Sequence, residues 1–210
     1  MFAGTVLVLI IAGSDDGDRG DLSVGLLVAL QAFLWIGYVG VALVVSRRQG
    51  QGPVRDYGWR FQRSDWYQGL LLGVGLQILA VPLIYLVVFQ FIGERDVSEA
   101  ARELTDLATS PLDAVILVLV IAIGAPLVEE LFFRGLLLRS LQRWLGSGPA
   151  IVVSSLVFAG VHLQALQFPA LFMFGLVAAW LTVRSGRLGP AIWAHVGFNA
   201  VTVVALLLVG

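Results

Sequence analysis

The chain has 210 residues, of which 59% are hydrophobic and only 13% are charged. An average water-soluble domain is about 45–50% apolar and about 25% charged, so this composition excludes an ordinary soluble fold and indicates a lipid environment. The formal net charge of -1 offers no basic patch for nucleic acid, and the absence of cysteine excludes disulfides, thiolate metal sites and a cysteine nucleophile.

The hydrophobic segments predict an all-α fold, a polytopic transmembrane helix bundle with about six spans, because about 20 apolar residues cross a bilayer as a helix. In chain order the predicted spans are Leu22–Ser46, Gly69–Ile92 with a kink at Pro82, Leu112–Phe133, the short Pro149–Leu163 and Phe168–Val183, and Leu188–Val209. Residues 1–13 are a candidate for a seventh, short N-terminal span.

No repeat or composition shift divides the chain, so residues 1–210 are predicted to form a single membrane domain. Within it, residues 1–110 supply N-terminal spans and loops, and residues 111–209 form the core that carries the chemically active motifs. The segment Glu94–Thr109 has a helix-forming composition and predicts a short helix outside the bilayer.

Charged residues in the loops predict the orientation of the bundle. One side of a six-span arrangement holds the arginines Arg47, Arg48, Arg55, Arg60, Arg63, Arg139, Arg143, Arg184 and Arg187. The loops on the other side are mostly acidic. The positive-inside rule therefore places the arginine side in the cytoplasm, and a basic complement made only of arginine favours a bacterial plasma membrane as the location.

Two carboxylates fall at the cytoplasmic end of the third predicted span. A charged side chain at mid-bilayer costs at least about 2.5–3.5 kcal/mol. Glu130 and Arg134 have the i,i+4 spacing of an intrahelical ion pair, which leaves Glu129 the freer carboxylate and a candidate base for activating water. The alternative interpretation is that these residues are simply the polar end of a helix.

The chain has only two histidines, and both fall inside predicted spans. His162 lies about 20 Å along the fourth span from Pro149, so its meeting with Glu129 requires that span to begin well below the membrane surface or to tilt strongly. His195 and Asn199 share one face of the sixth span and could present two hydrogen-bond donors to a developing oxyanion.

Each of these polar residues alone could be a packing residue that hydrogen-bonds a neighbouring helix. Their conjunction inside membrane spans favours a hydrolytic site, since a carboxylate base, imidazoles and an amide donor are the groups that hydrolysis needs.

At these motifs the sequence resembles the CPBP family, which comprises the type II CAAX prenyl endopeptidases and bacterial Abi and bacteriocin-immunity relatives. The pattern of that family is EExxxR, then FxxxH, then HxxxN. This chain has the matching residues in that order, and the resemblance covers roughly residues 111–209: Glu129-Glu130 with Arg134, Phe158 with His162, and His195 with Asn199.

The resemblance implies hydrolysis of a peptide bond in a membrane-associated protein or peptide, near the cytoplasmic face. It implies that Glu129 and His162 hold and activate the water, and that Glu130 and Arg134 orient them. His195 and Asn199 would form the oxyanion hole. No cofactor is expected to be obligatory, because the chain has no HExxH motif.

Zn²⁺ stays open as an alternative, with Glu129, His162 and His195 as candidate ligands. Other functions stay open as well. A bis-histidine haem protein with His162 and His195 as axial ligands would be coloured when purified. A non-catalytic immunity or scaffold protein of the same fold would cleave nothing. A proton-coupled transporter is disfavoured because the chain shows no inverted repeat.

Overall fold

The computed structural model describes residues 23–209, and this part of the chain is helical, without a β-strand. The helices are α1 Val24–Gln49, α2 Pro53–Asp56, α3 Arg63–Ile92, α4 Glu99–Asp106, α5 Pro111–Leu145, α6 Ser147–Gly160, α7 Phe168–Ser185 and α8 Gly189–Val209. The predicted all-α polytopic bundle is confirmed. The candidate span at residues 1–13 lies outside the described residues.

Among residues 23–209, 5 helices are long and apolar enough to cross a membrane: α1, α3, α5, α7 and α8. The fourth predicted span corresponds to α6, which has only 14 residues and a length of about 21 Å. Because about 20 residues are needed to cross the hydrocarbon core, α6 is too short to cross it as a helix.

Helix α5 is much longer than predicted. It has 35 residues and continues past the predicted end at Phe133 to Leu145. The prediction that Glu129 and Glu130 lie near the end of this helix is therefore wrong, since both lie well inside it and both are fully buried.

The length of α5 also explains how α6 reaches the same depth. Helix α6 begins directly after α5 and packs against its last turns. From Leu145 back to Glu130 is about 22 Å along α5, nearly the length of α6. His162, just beyond the end of α6, therefore returns to the level of Glu130 without the deep start or strong tilt that a shorter α5 would have required.

Two prolines distort the long helices in the same way. Pro82 in α3 follows a π-helical segment, Leu76–Ala80, and Pro126 in α5 follows another, Leu119–Gly124. Proline has no N–H and its ring clashes with the carbonyl four residues earlier, so a wider turn before it relieves the clash. A third π-helical segment, Leu131–Leu137, follows the two glutamates directly.

Helices α3 and α8 form the closest helix pair of the bundle, and glycines make the approach possible. A Cβ atom added at Gly69 would lie 2.6 Å from the Trp193 Cβ, and one at Gly73 would overlap the Ala194 carbonyl oxygen. From the other side, a Cβ at Gly197 would lie 2.6 Å from the Leu70 carbonyl oxygen. This contact fixes the position of α8, the helix that carries His195.

An ion pair fastens the beginning of α3 to the turn between α7 and α8. Arg187 donates from Nη2 to Asp65 Oδ1 at 2.7 Å and from Nε to Asp65 Oδ2 at 3.2 Å. These hydrogen bonds raise the pKa of the Arg187 guanidinium, and Asp65 is almost completely buried. The fork geometry of arginine suits such two-point binding and adds a second constraint on where α8 starts.

The substitution Gly73→Ala is expected to destabilise the protein by about 1–3 kcal/mol, because the new methyl group collides with backbone that cannot yield without moving α8. Titration with SDS in mixed micelles, followed by circular dichroism, measures the free energy of unfolding. Gly75→Ala is the matched control on the same helix, since a Cβ there meets no atom within 4 Å. It should be neutral or stabilising, and equal destabilisation by both substitutions would contradict the packing argument.

Helix α4 is the short helix predicted within Glu94–Thr109, and it is amphipathic. Leu104 and Thr105 face inward and are buried, whereas Glu103 and Asp106 face outward and are exposed. The preceding segment is fastened to the bundle because Gln167 donates from Nε2 to the Val97 carbonyl oxygen at 3.2 Å. Helix α4 therefore covers one end of the bundle with its apolar side.

Candidate active site

Glu130 is the centre of a buried hydrogen-bond network. Its Oε1 atom accepts from Arg134 Nη1 at 2.9 Å and contacts His195 Nδ1 at 2.8 Å. The ion pair predicted from the i,i+4 spacing is therefore present, and the same oxygen also reaches α8. All three side chains are at most 1% exposed. Because an ionised carboxylate only accepts hydrogen bonds, His195 Nδ1 is the donor to Glu130 in this arrangement.

Glu129 approaches the same histidine from the other edge of the imidazole ring. Its Oε2 atom lies 3.8 Å from His195 Nε2, and its side chain is fully buried. This distance is too long for a direct hydrogen bond, but one water molecule can contact both atoms. The two glutamates thus lie at opposite edges of one imidazole ring. Adjacent residues of a helix can take these positions because their side chains diverge by about 100°.

His162 is held at the point where α6 ends. Its Nδ1 lies 2.5 Å from the Phe158 carbonyl oxygen, and the next residue, Leu163, turns the chain with a φ of 54°. A positive φ is unfavourable for a side chain such as leucine, so the surrounding packing maintains this sharp turn. The turn fixes His162, which is fully buried, at the depth of the glutamates.

Aromatic rings enclose the charged groups. The Arg134 guanidinium lies 4.2 Å from the centroid of the Phe158 ring, a cation–π distance. The Phe158 ring centroid also lies 4.7 Å from that of His162 and 5.9 Å from that of His195. Phe174 closes the other side, with its ring centroid 4.6 Å from His195. The Phe158 ring therefore lies between the two histidines and contacts both.

Asn199 of α8 forms a hydrogen bond to the backbone of α5. Its Nδ2 donates to the Ile121 carbonyl oxygen at 2.9 Å. In the π-helical turn, the Ala125 N–H donates to the carbonyl oxygen of Val120, five residues earlier. In the same register, the Ile121 carbonyl oxygen would accept from the N–H of residue 126. That residue is Pro126, which has no N–H, and Asn199 supplies the missing donor. One of the two amide hydrogens is thus used for interhelical contact, and the other is not used by this bond.

Residues that the sequence analysis did not select also contribute to this site. Tyr38 of α1 stacks on Phe132 with ring centroids 4.4 Å apart and lies within electrostatic range of Glu129. A lone tyrosine in an apolar span carries no local signal for such a role. The Gly69-x-x-x-Gly73 spacing that positions α8 was a recognisable small-residue motif in the sequence.

The donor groups do not fit a zinc centre. Catalytic zinc takes three protein ligands, yet residues 23–209 contain no group of three His, Asp or Glu residues that could hold a metal ion. The Nδ1 atom of His195 is already bound to Glu130, and Glu130 is paired with Arg134. His195 Nε2 and Glu129 Oε2, 3.8 Å apart, face one another as a pair of donors.

Comparisons with known proteins give one family model and one relative. Residues 111–201 match the family model described as type II CAAX prenyl endopeptidase Rce1-like. The chain is also 32% identical over 140 residues to an uncharacterised 24.3 kDa protein of Escherichia coli, a match that covers 60% of this chain and 62% of the relative. The chain thus spans less than two thirds of that relative's length. No solved structure matches significantly.

The matched segment begins at the first residue of α5 and ends within α8, and it contains both glutamates, both histidines and Asn199. The protein is an integral membrane protein by its long apolar helices, and its segment 111–201 matches the model of the Rce1-like type II CAAX prenyl endopeptidases.

Proposed function

We propose that the chain is an intramembrane endopeptidase that hydrolyses a peptide bond of a membrane-associated protein or peptide. The observation that carries the proposal is the arrangement of two buried glutamates around His195, with Glu130 on Nδ1 and Glu129 3.8 Å from Nε2. A structural ion pair needs only one carboxylate for Arg134. The second buried carboxylate has a high desolvation cost, which a role in activating water explains.

In the proposed reaction Glu129 takes a proton from a water molecule that it holds together with His162, and the resulting hydroxide attacks the scissile carbonyl carbon. The negative charge that develops on the carbonyl oxygen is stabilised by N–H donors from His195 Nε2 and from the second amide hydrogen of Asn199. When the intermediate collapses, Glu129 returns its proton to the departing amine. Every proton is thus accounted for without a further group.

The charges of the cluster support this division of roles. A buried cluster of charges in a membrane is stable only when nearly neutral, and Arg134 pairs with Glu130. In the proposed mechanism His195, which lies between the two carboxylates, carries a proton on each ring nitrogen, so that Nδ1 donates to Glu130 and Nε2 is a donor for the oxyanion. Glu130 and Arg134 act as positioning residues, since they touch His195 and the aromatic wall instead of the reacting atoms.

The cellular arrangement proposed from the charge distribution is a bacterial plasma membrane with the arginine-rich loops in the cytoplasm. Residues 1–210 are proposed to act as one membrane domain, with residues 111–209 as the catalytic core and residues 1–110 as supporting spans. The glycine contact between α3 and α8 supports this unity, because it ties an N-terminal helix to the helix of His195.

The proposal is tested by comparing membranes from cells that express the wild-type chain or its Glu129→Gln variant. New peptide N-termini are labelled chemically and identified by mass spectrometry. A set of N-termini that appears only with the wild-type chain, and that maps to membrane-associated proteins, is the expected result and identifies the substrate. Identical N-termini in both samples would refute the proposal.

Cleavage of the substrate so identified is expected to survive millimolar EDTA or phenanthroline with less than about a twofold loss, because the site lacks three protein ligands for zinc. The measurement is the initial cleavage rate in proteoliposomes before and after chelation. A loss that is restored by added Zn²⁺ would show that the carboxylate–imidazole pair recruits a metal, and the metal-free mechanism would be wrong.

A further inference from the structure

A cavity of about 90 Å³, partly open to the surface, lies beside the candidate active site. It is bordered by α3, α4 and α8 and by the segment that precedes α7. Its walls include Val81, Leu104 and Phe198, and none of the described residues that line it is charged. Asn199 forms its inner end, one helical turn or about 6 Å along α8 from His195.

Three side-chain carboxamides in this cavity have oxygens without a hydrogen-bond partner among the described residues. They are Gln77 Oε1, Gln164 Oε1 and Asn199 Oδ1, and all three atoms are buried. The orientation of the Asn199 amide is fixed, because its Nδ2 donates to the Ile121 carbonyl oxygen. Buried acceptors are normally satisfied, so several orphaned acceptors around one cavity indicate a ligand that supplies N–H donors.

The chemistry of the walls restricts what this ligand can be. A charged group entering the cavity would lose its hydration and find no counter-charge among the lining residues. An extended peptide backbone is uncharged and presents N–H groups at regular intervals on both of its edges. An extended backbone therefore matches both the oxygens without partners and the apolar walls. Because Asn199 lines the cavity, a peptide bound there lies next to the reacting groups.

We propose that this cavity binds the substrate segment adjacent to the scissile bond as an uncharged, extended peptide, with backbone N–H groups donated to Gln77, Gln164 and Asn199. The inference rests on the proposed function.

The test uses the fact that the chain contains no cysteine. Thr202→Cys places one thiol in the cavity, and Val204→Cys places one on the exposed face of the same helix, which lies in lipid. Both are made in the Glu129→Gln background, so that binding is measured without turnover. A water-soluble maleimide is expected to label Thr202→Cys and to leave Val204→Cys largely unlabelled. Equal labelling of both would overturn the inference.

The probe is a neutral pentapeptide of leucine and alanine, acetylated and amidated at its ends, and its matched control is the same peptide with N-methylated backbone nitrogens. The unmodified peptide should protect Thr202→Cys from labelling, and the N-methylated peptide should require at least about 10-fold more for half protection, because it lacks the N–H donors. Equal protection by the two peptides, or none by either, would overturn the inference.

Removing the acceptors one at a time gives a second readout. Gln77→Leu and Gln164→Leu should each raise the peptide concentration for half protection by about 3- to 10-fold. Gln90→Leu is the matched control, since Gln90 is exposed on α3 outside the cavity, and it should change nothing. If the wild-type chain cleaves no protein but this pattern holds, the proposed function fails and the peptide site stands. If the wild-type chain cleaves a protein but the variants do not show this pattern, the peptide site is wrong and the proposed function stands.

Discussion

The substitution Glu129→Gln is expected to reduce substrate cleavage by about 10²–10⁴-fold, the contribution typical of a positioned general base. Glutamine has nearly the same shape as glutamate but cannot accept a proton from water. The side chain is fully buried and lies 3.8 Å from His195 Nε2, so no other described carboxylate replaces it at that edge of the ring. Cleavage rate in proteoliposomes is the measurement.

The fold should survive this change, because removing a buried charge relieves a desolvation cost. Circular dichroism and the SDS midpoint of the variant are therefore expected to equal or exceed those of the wild type. Glu94→Gln is the matched control, since it is the same chemical change at an exposed residue in the segment before α4. Its cleavage rate should stay within about twofold of wild type. A Glu129→Gln variant with normal activity would remove Glu129 from the mechanism.

The local parts of this site could be predicted from the sequence. The spacing of Glu130 and Arg134 specifies their ion pair, because side chains four residues apart are neighbours on any α-helix. The histidines and glutamates could be recognised as one set because charged groups are costly in a span. Their matching motifs also led to the family that residues 111–201 match.

The tertiary parts could not be predicted. The length of the apolar segment predicts that α5 ends at Phe133, whereas the helix continues to Leu145 and its last turns pack against α6. The Nδ1 bond of His195 to Glu130 joins residues 65 positions apart, and no spacing rule encodes it. The bond of Asn199 to the Ile121 carbonyl depends on a π-helical turn before Pro126, which hydropathy does not reveal.

The second large effect is expected from Arg134→Leu, which should destabilise the protein by about 3–5 kcal/mol because it leaves the buried Glu130 carboxylate without its cation. The guanidinium also lies against the Phe158 ring at 4.2 Å and donates to the Gly175 carbonyl oxygen at 3.4 Å. SDS titration measures the free energy of unfolding, and cleavage rate in proteoliposomes measures function.

The double substitution Glu130→Leu with Arg134→Leu separates the two roles of this pair. Because it removes both charges together, it should recover most of the stability that Arg134→Leu loses, as apolar replacements of buried ion pairs often do. Activity should not recover, since His195 then lacks the carboxylate that holds its Nδ1 and balances its charge. A stable double variant that cleaves at the wild-type rate would show that the pair serves folding alone. A double variant as unstable as Arg134→Leu would instead show that the lost free energy of unfolding comes from lost packing against Phe158.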